Sequence, residues 1–376
     1  MEKDKKCKKD CKKEIVELNN EIIFSNFNFQ PKKINIENIS DYSFIIFEFN
    51  LKNKNKVSSK FRIEDNRFKL LKKREKFNLN KLRVSGQKMI LEGNKIHINS
   101  PIILPKNYDL EILPGTQILF SKDSYIQVDG GNIIANGTKN QMITLTSKKD
   151  ELWNGILIKN SKKKSEFNYV QIKNVKSFET FKTYLTGALN FYKSDISIKN
   201  SLFENSKAED FINVTEANFF IKDTNFINCL SDALDADFSD GKIFDSKFTN
   251  IQGDAVDFSG SNAEVTKSIF KTIGDKSISA GERSKIVLKN NFFKNSFIAV
   301  ASKDKSKVKV EGNKFEDSDL FDLVAFNKKS FYQKGGFIDI NSANKKLKMK
   351  SDLMSKIRVN GKEIKKERID LRSIYN

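Results

Sequence analysis

Phenylalanine returns along this chain every 22 or 23 residues, at Phe203, Phe226, Phe248, Phe270, Phe293 and Phe315. Two positions after each stands a polar residue: Asn205, Asn228, Asn250, Thr272, Asn295 and Asp317. Between the anchors lie short apolar stretches such as Phe219-Phe220-Ile221, Ile286-Val287-Leu288 and Val308-Lys309-Val310. A second apolar beat follows at Ala233-Leu234, Ala255-Val256, Ser277-Ile278, Ala299-Val300 and Leu323-Val324. These segments are brief, rich in β-branched and aromatic residues, and alternate or nearly so, which predicts strands. Amphipathic helical spacing is not sustained anywhere among them. A fixed period in the twenties marks a solenoid, whose single coil cannot bury its own apolar face and must stack on a neighbour.

The leucine-rich signature L-x-x-L-x-L is missing, so the reading is all-β: a parallel β-helix of about 22 residues per coil, two or three short strands to each. Asn and Asp suit its bends because they tolerate left-handed backbone. Stacked inward, the column Asn205, Asn228, Asn250 and Asn295 is expected to form an amide ladder that satisfies polar groups buried at the turn. The chain divides into a basic N-terminal cap over 1–80, the solenoid over 81–342 and a basic C-terminal cap over 343–376. Residues 12–25 are expected to make a short helix, and 33–80 to be strands and loops. Ile357 to Ile364 reads as a hairpin turning through Asn360-Gly361.

Upstream of the repeat stand Leu113-Pro114-Gly115-Thr116, Gly130-Gly131, Ala135-Asn136-Gly137-Thr138 and Trp153-Asn154-Gly155-Ile156. Together with the coils, these resemble the right-handed parallel β-helix superfamily of pectate lyases, polygalacturonases, alginate lyases and uronate C5-epimerases. More narrowly, Asp275 to Glu282 and Ala301 to Asp304 look like a β-helix module found beside CotH-like domains in bacterial surface proteins. The resemblance covers roughly residues 82–340. It implies a carbohydrate-interacting protein of the extracellular space or cell surface, and an acidic polysaccharide as partner.

Charge changes this picture little. The net charge is +20, but residues 1–80 carry +8 (20 Lys/Arg against 12 Asp/Glu) and 343–376 carry +7 (11 against 4), leaving +5 on the coils. Flanking lysines predict only salt-sensitive, unspecific attachment to nucleic acid. No apolar run approaches the ~20 residues that span a bilayer, and Met1 to Glu14 is charged where a signal peptide would be apolar. Three cysteines, Cys7, Cys11 and Cys229, make no disulfide framework. His97 is the single histidine and alternates with Ile96 and Ile98, as an outward strand residue would. A Ser-His-Asp triad and histidine metal sites are thereby disfavoured.

The chemistry must come from carboxylates. Aligned on the anchors, Leu234, Val256, Ile278, Val300 and Val324 form an inward column, and the next residues, Asp235, Asp257, Ser279, Ala301 and Ala325, point outward. Asp232, Asp254 and Lys276 lie two places before the column, and Asp237 and Lys303 two places after the outward members. Glu282, Asp304 and Lys328 follow one place later. Coils ~4.8 Å apart would then set Asp235 and Asp257 side by side, facing solvent.

Such a pair has three uses. One carboxyl can keep its proton and act as an acid, at a separation suited to a retaining glycosidase. The two can hold Ca²⁺, with Lys276 or Lys303 as the base of a lyase or C5-epimerase. Asp232, Asp237, Asp254, Glu282, Arg283, Lys328 and Tyr332 would line the substrate. The histidines of the polygalacturonase-like and alginate-lyase-like patterns are missing here, which weighs on both of those mechanisms. The alternative is a non-catalytic surface, adhesion or assembly module, its Asp residues capping turns and its long face binding glycan or protein.

Overall fold

The computed structural model describes residues 82–147, 151–180, 182–341 and 346–374. It adds the backbone of Lys13–Glu14, Lys33–Ile39, Tyr42–Asn50 and Lys56–Ile63. Two units divide the chain, Met1–Phe77 and Asn78–Asn376. In the first, those four strands form one antiparallel sheet in chain order. The helix expected over 12–25 falls outside the described residues except for Lys13–Glu14, which is strand. Cys7 and Cys11 also lie outside them.

The second unit is a parallel β-solenoid of about 11 turns. Its strands stack into two long sheets, of 19 and 14 strands. Register is kept by identity: Phe203, Phe226, Phe248, Phe270, Phe293 and Phe315 are successive partners. Their rings stack face to face at centroid spacings of 5.0, 4.8, 4.9, 4.9 and 5.1 Å. The first five are wholly buried. Toward the N-terminal end a separate pair, Trp153 and Phe120, stacks at 4.2 Å. Gly155, at φ +69, is obligatory beside it, since a Cβ there would meet the Ala188 carbonyl oxygen at 1.9 Å.

The asparagine column behaves differently from the expectation. Asn174, Asn205, Asn228, Asn250, Thr272 and Asn295 all adopt positive φ, between 52 and 61°. Each is the single left-handed residue that bends one strand into the next, and the described Asn205, Asn228, Asn250 and Asn295 are exposed. The amide ladder exists, but on the outside. Buried backbone N–H groups are satisfied instead by inward hydroxyls. Ser239, Ser261 and Ser284 donate their N–H groups to the Oγ atoms of Ser261, Ser284 and Ser306, at 2.9, 3.0 and 3.1 Å.

Parallel stacking continues beyond residue 342. Met349–Ser351 pairs with Phe321–Phe326, and Lys356–Val359 with Phe337–Asn341. The hairpin through Asn360 and Gly361 then closes antiparallel with Lys362–Glu363. One coil departs from the expected column: Leu323, not Val324, partners Val300, so Val324 lies against Ala301 on the outward face. Ala301, Val324 and Phe326 are nevertheless fully buried, because Ile374 packs on them and on Ile298, with Ile369 and Leu371 alongside. A second small core thus sits outside the solenoid wall. Among the described residues, no helix is long and apolar enough to cross a membrane.

Phe248 is held between two parallel rings. Phe248→Ala is expected to lower unfolding free energy by about 3–5 kcal/mol, read from the denaturant midpoint.

Candidate functional site

The outward side of the 19-stranded sheet presents rows of polar residues one coil apart. Asn213 partners Asp235, Asp235 partners Asp257, and Asp257 partners Ser279. Thr215, Asp237, Ser259 and Gly281 make the next row. Strand alternation sends Leu234, Ala236, Val256 and Phe258 into the core, so these acids are forced outward by their apolar neighbours.

At the bend before these strands, aspartates link coil to coil. Asp232 Oδ1 accepts the Asp254 N–H at 2.7 Å, and Asp254 Oδ1 accepts the Lys276 N–H at 2.8 Å. Asp210, one coil earlier, partners Asp232. The bend column is therefore Asp210, Asp232, Asp254 and Lys276.

The two lysines do not stand in solvent. Lys276 is 1% exposed, its Nζ at 2.5 Å from Asp275 Oδ2 and 3.4 Å from Asp254 Oδ1. Lys303 is also buried; it donates to Ser279 Oγ at 2.7 Å and lies 3.8 Å from Asp257 Oδ1. Its stem passes beside Gly281, where a Cβ would make ordinary contact with Cε at 3.4 Å. Burial lowers the pKa of both lysines, yet Asp254 and Asp275 for Lys276, and Asp257 and Asp254 for Lys303, raise it above the ordinary value. The raised pKa weighs against either lysine as the base. Both are interior counter-ions whose protons are held tightly.

Asp235 and Asp257 also differ from the solvent-facing pair expected; both are half-buried, the Asp257 side chain 26% exposed. Burial, reinforced by Asp237, Asp210 and Asp257, pushes Asp235 up to about 9. Its Oδ2 accepts the Asn213 amide at 3.0 Å. For Asp257 burial acts upward too, but Lys303, the Ser279 hydroxyl, Lys276 and Lys328 outweigh it and hold the carboxyl below its usual range. Adjacent coils thus carry one acid and one carboxylate. Burial raises Asp210 to about 6; burial and then Asp254 raise Asp232; burial and then Asp257 raise Asp237.

The far rim gathers the other expected residues. Asp304 Oδ1 accepts the N–H groups of Lys328 and Lys329, both at 2.8 Å, which anchors the loop that follows. Lys329 pairs with Glu282. Arg283 lies over the Tyr332 ring at 5.7 Å, farther from the acids. Lys328 has its pKa lowered by burial and then by Lys303.

Asp210, Asn213 and Phe238 were missed by the sequence reading. The period could have found Asp210, which stands 22 residues before Asp232. Phe238, directly after Asp237, is 64% exposed at φ 49°, a costly backbone for a bulky side chain. Its ring lies over Gly260, where a Cβ would fall 2.7 Å from it. Glycine in the next coil makes room for this aromatic edge.

For a cation, the converging carboxylates are Asp232, Asp254 and Asp257, their oxygens within 4.8 Å of one another; Asp235 is not in that group. The fit is poor, because the ammonium groups of Lys276 and Lys303 already lie against Asp254 and Asp257 and supply the counter-charge a divalent ion would bring.

Fold and stacking define a parallel β-solenoid, and residues 210–364 match the family model described as the right handed beta helix region. No curated protein matches the sequence. Similar solved structures include an alginate lyase from Paenibacillus sp. str. FPU-7 (11% identical, 57% of this chain and 92% of that one, TM-score 0.31). The periplasmic alginate epimerase AlgG is 11% identical over 76% of this chain and 80% of its own, TM-score 0.33. PfbA, a surface adhesin of Streptococcus pneumoniae, is 16% identical over 72% and 80%, TM-score 0.35. At these identities the likeness concerns the fold alone.

Two outcomes test the electrostatics. Asp235 binds its proton more tightly folded than unfolded, so its stabilising contribution is complete below about pH 4 and is lost as pH rises through about 9. The melting temperature should fall over that alkaline range. Asp235→Asn, neutral at every pH, should flatten the fall and raise the melting temperature near pH 10 by about 2–4 °C or more. Separately, Lys276→Met should cost about 3–5 kcal/mol by stranding Asp254, with most of the loss recovered in Lys276→Met/Asp254→Asn, both read by denaturant unfolding.

Proposed function

We propose that the acidic face binds a glycan chain and hydrolyses a glycosidic bond, with Asp235 as the acid and Asp257 as its ionised partner. The observation that carries this reading is the opposite displacement of two carboxyls in adjacent coils, since environments that separate paired pKa values assign acid and base roles. Coil spacing of ~4.8 Å is close to that of a retaining pair. Asp235 gives its proton to the bridging oxygen as the bond to the leaving sugar breaks, and an Asp257 oxygen attacks the anomeric carbon to form a glycosyl ester. Ionised Asp235 then takes a proton from water, whose oxygen attacks the same carbon and releases Asp257 as a carboxylate.

Phe238 supplies an exposed ring at the rim against which a sugar face can stack. With Asp235 and Asp232 holding protons, the remaining Asp210, Asp237, Asp254 and Asp257 are offset by Lys276, Lys303 and Lys328, so the face has no surplus cation to grip uronates. This supports a neutral chain over the acidic one that the resemblance implies. A lyase or epimerase reading keeps one supporting observation: Lys328, on the same rim, has a lowered pKa and so suits a base where Lys276 and Lys303 do not.

The test is release of reducing ends from soluble glucan, xylan and mannan, with alginate and polygalacturonate monitored in parallel for ultraviolet-absorbing unsaturated products. Hydrolysis should appear on a neutral polymer, decline as pH passes about 9, and fall at least ~10²-fold in kcat/KM in Asp235→Asn and Asp257→Asn. Phe238→Ala should raise KM more than it lowers kcat. Unsaturated products lost in Lys328→Met would replace hydrolysis by elimination, and binding without any turnover would leave the non-catalytic module.

A further inference from the structure

A second groove follows the outside of the bend that joins each phenylalanine strand to the next strand. Two depressions, of about 510 and 410 Å³, share Asn250 and Gln252 and so form one trough running from Asn174 to Asn295. Its floor is the exposed amide column. Asn250 Nδ2 donates to Asn228 Oδ1 at 2.6 Å, Asn228 to Asn205 at 3.3 Å, Asn205 to Asn174 at 3.2 Å, and Asn174 to Thr146 Oγ1 at 3.2 Å. An amide offers two N–H donors and two lone pairs. Each internal rung therefore keeps a donor and an acceptor for something outside the protein, repeated at the coil spacing of ~4.8 Å.

We infer that this trough binds an extended, uncharged polysaccharide, its hydroxyls bridging the amides of successive coils. Two features select that ligand. Charge is sparse: Glu151 and Lys207 at one end and Asp319 at the other are the ionisable groups lining it apart from the Cys229 thiol, which burial pushes up to about 12. The backbone is spent, because the N–H groups of Leu230, Gln252 and Asp319 donate to the carbonyls of Ser206, Cys229 and Ser296 in the preceding coil. A peptide adding as a strand needs an open edge, and none is offered here. Leu230, 44% exposed, gives an apolar wall for the C–H face of a sugar ring. The inference does not depend on the acidic face, which lies on the sheet beyond the bend.

The experiment is calorimetric titration of the full chain with cellohexaose, xylohexaose, mannohexaose and maltohexaose, joined by nitrogen-15 spectra of the asparagine side-chain amides. At least one hexasaccharide should bind saturably and shift those amide signals. Asn228→Gly/Asn250→Gly, which keeps a residue suited to positive φ while removing the amides, should weaken binding by about tenfold or more. The asparagine amide shifts report the trough directly, so that loss of the acidic-face reading and loss of this one are told apart. Absence of binding by all four sugars would overturn the inference, as would binding that survives the glycine pair. Should the glycine pair fail to fold, the amide shifts of the unaltered protein decide: signals that stay still on saturation reject the trough.

Discussion

The solenoid rests on parallel main-chain pairing in which each coil hands its hydrogen bonds to the next. The stacked phenylalanines fix that register from inside, ring over ring at about 5 Å. The serine hydroxyls fix it at the buried turns, where a coil's N–H would otherwise face hydrocarbon. Neither device is chemical in purpose. Both are needed before Asp235 and Asp257, separated by a whole coil of chain, can share one patch of sheet.

Once register is given, burial does the electrostatic work. The acidic face is not an open array of charges, because its cations lie within the wall. Lys303 lies flat over Gly281 and Ser279 to reach Asp257, and Lys276 bridges Asp254 and Asp275. The lysine tips favour ionised Asp257, while Asp235, farther from them and crowded by other carboxyls, keeps its proton. One fold repeat therefore yields two chemically different copies of the same residue type.

The repeat, the strand content, the phenylalanine stack and the hairpin at Asn360-Gly361 were legible because each depends on local pattern and period. The pairing of Asp235 with Asp257 in adjacent coils was legible for the same reason. What the pattern does not carry is depth. Asparagine and serine are both turn formers, and only the left-handed backbone of Asn205, Asn228 and Asn250 decides that they face outward while Ser239 and Ser261 face inward. The burial of Lys276 and Lys303 likewise depends on small residues one or two coils away, a relation that no spacing along the chain announces. Nor does the pattern mark Phe238 as exposed, since its place follows from the left-handed bend after Asp237.

The coil at Phe321–Phe326 keeps the parallel register but changes what its outward positions carry. In ordinary register, Val324 and Phe326 stand where the earlier coils hold Asp235 and Asp237. The polar strip ends there and a greasy footing begins, on which Ile374 lands. Two apolar side chains at outward positions thus bound the acidic face and mark where the returning tail docks.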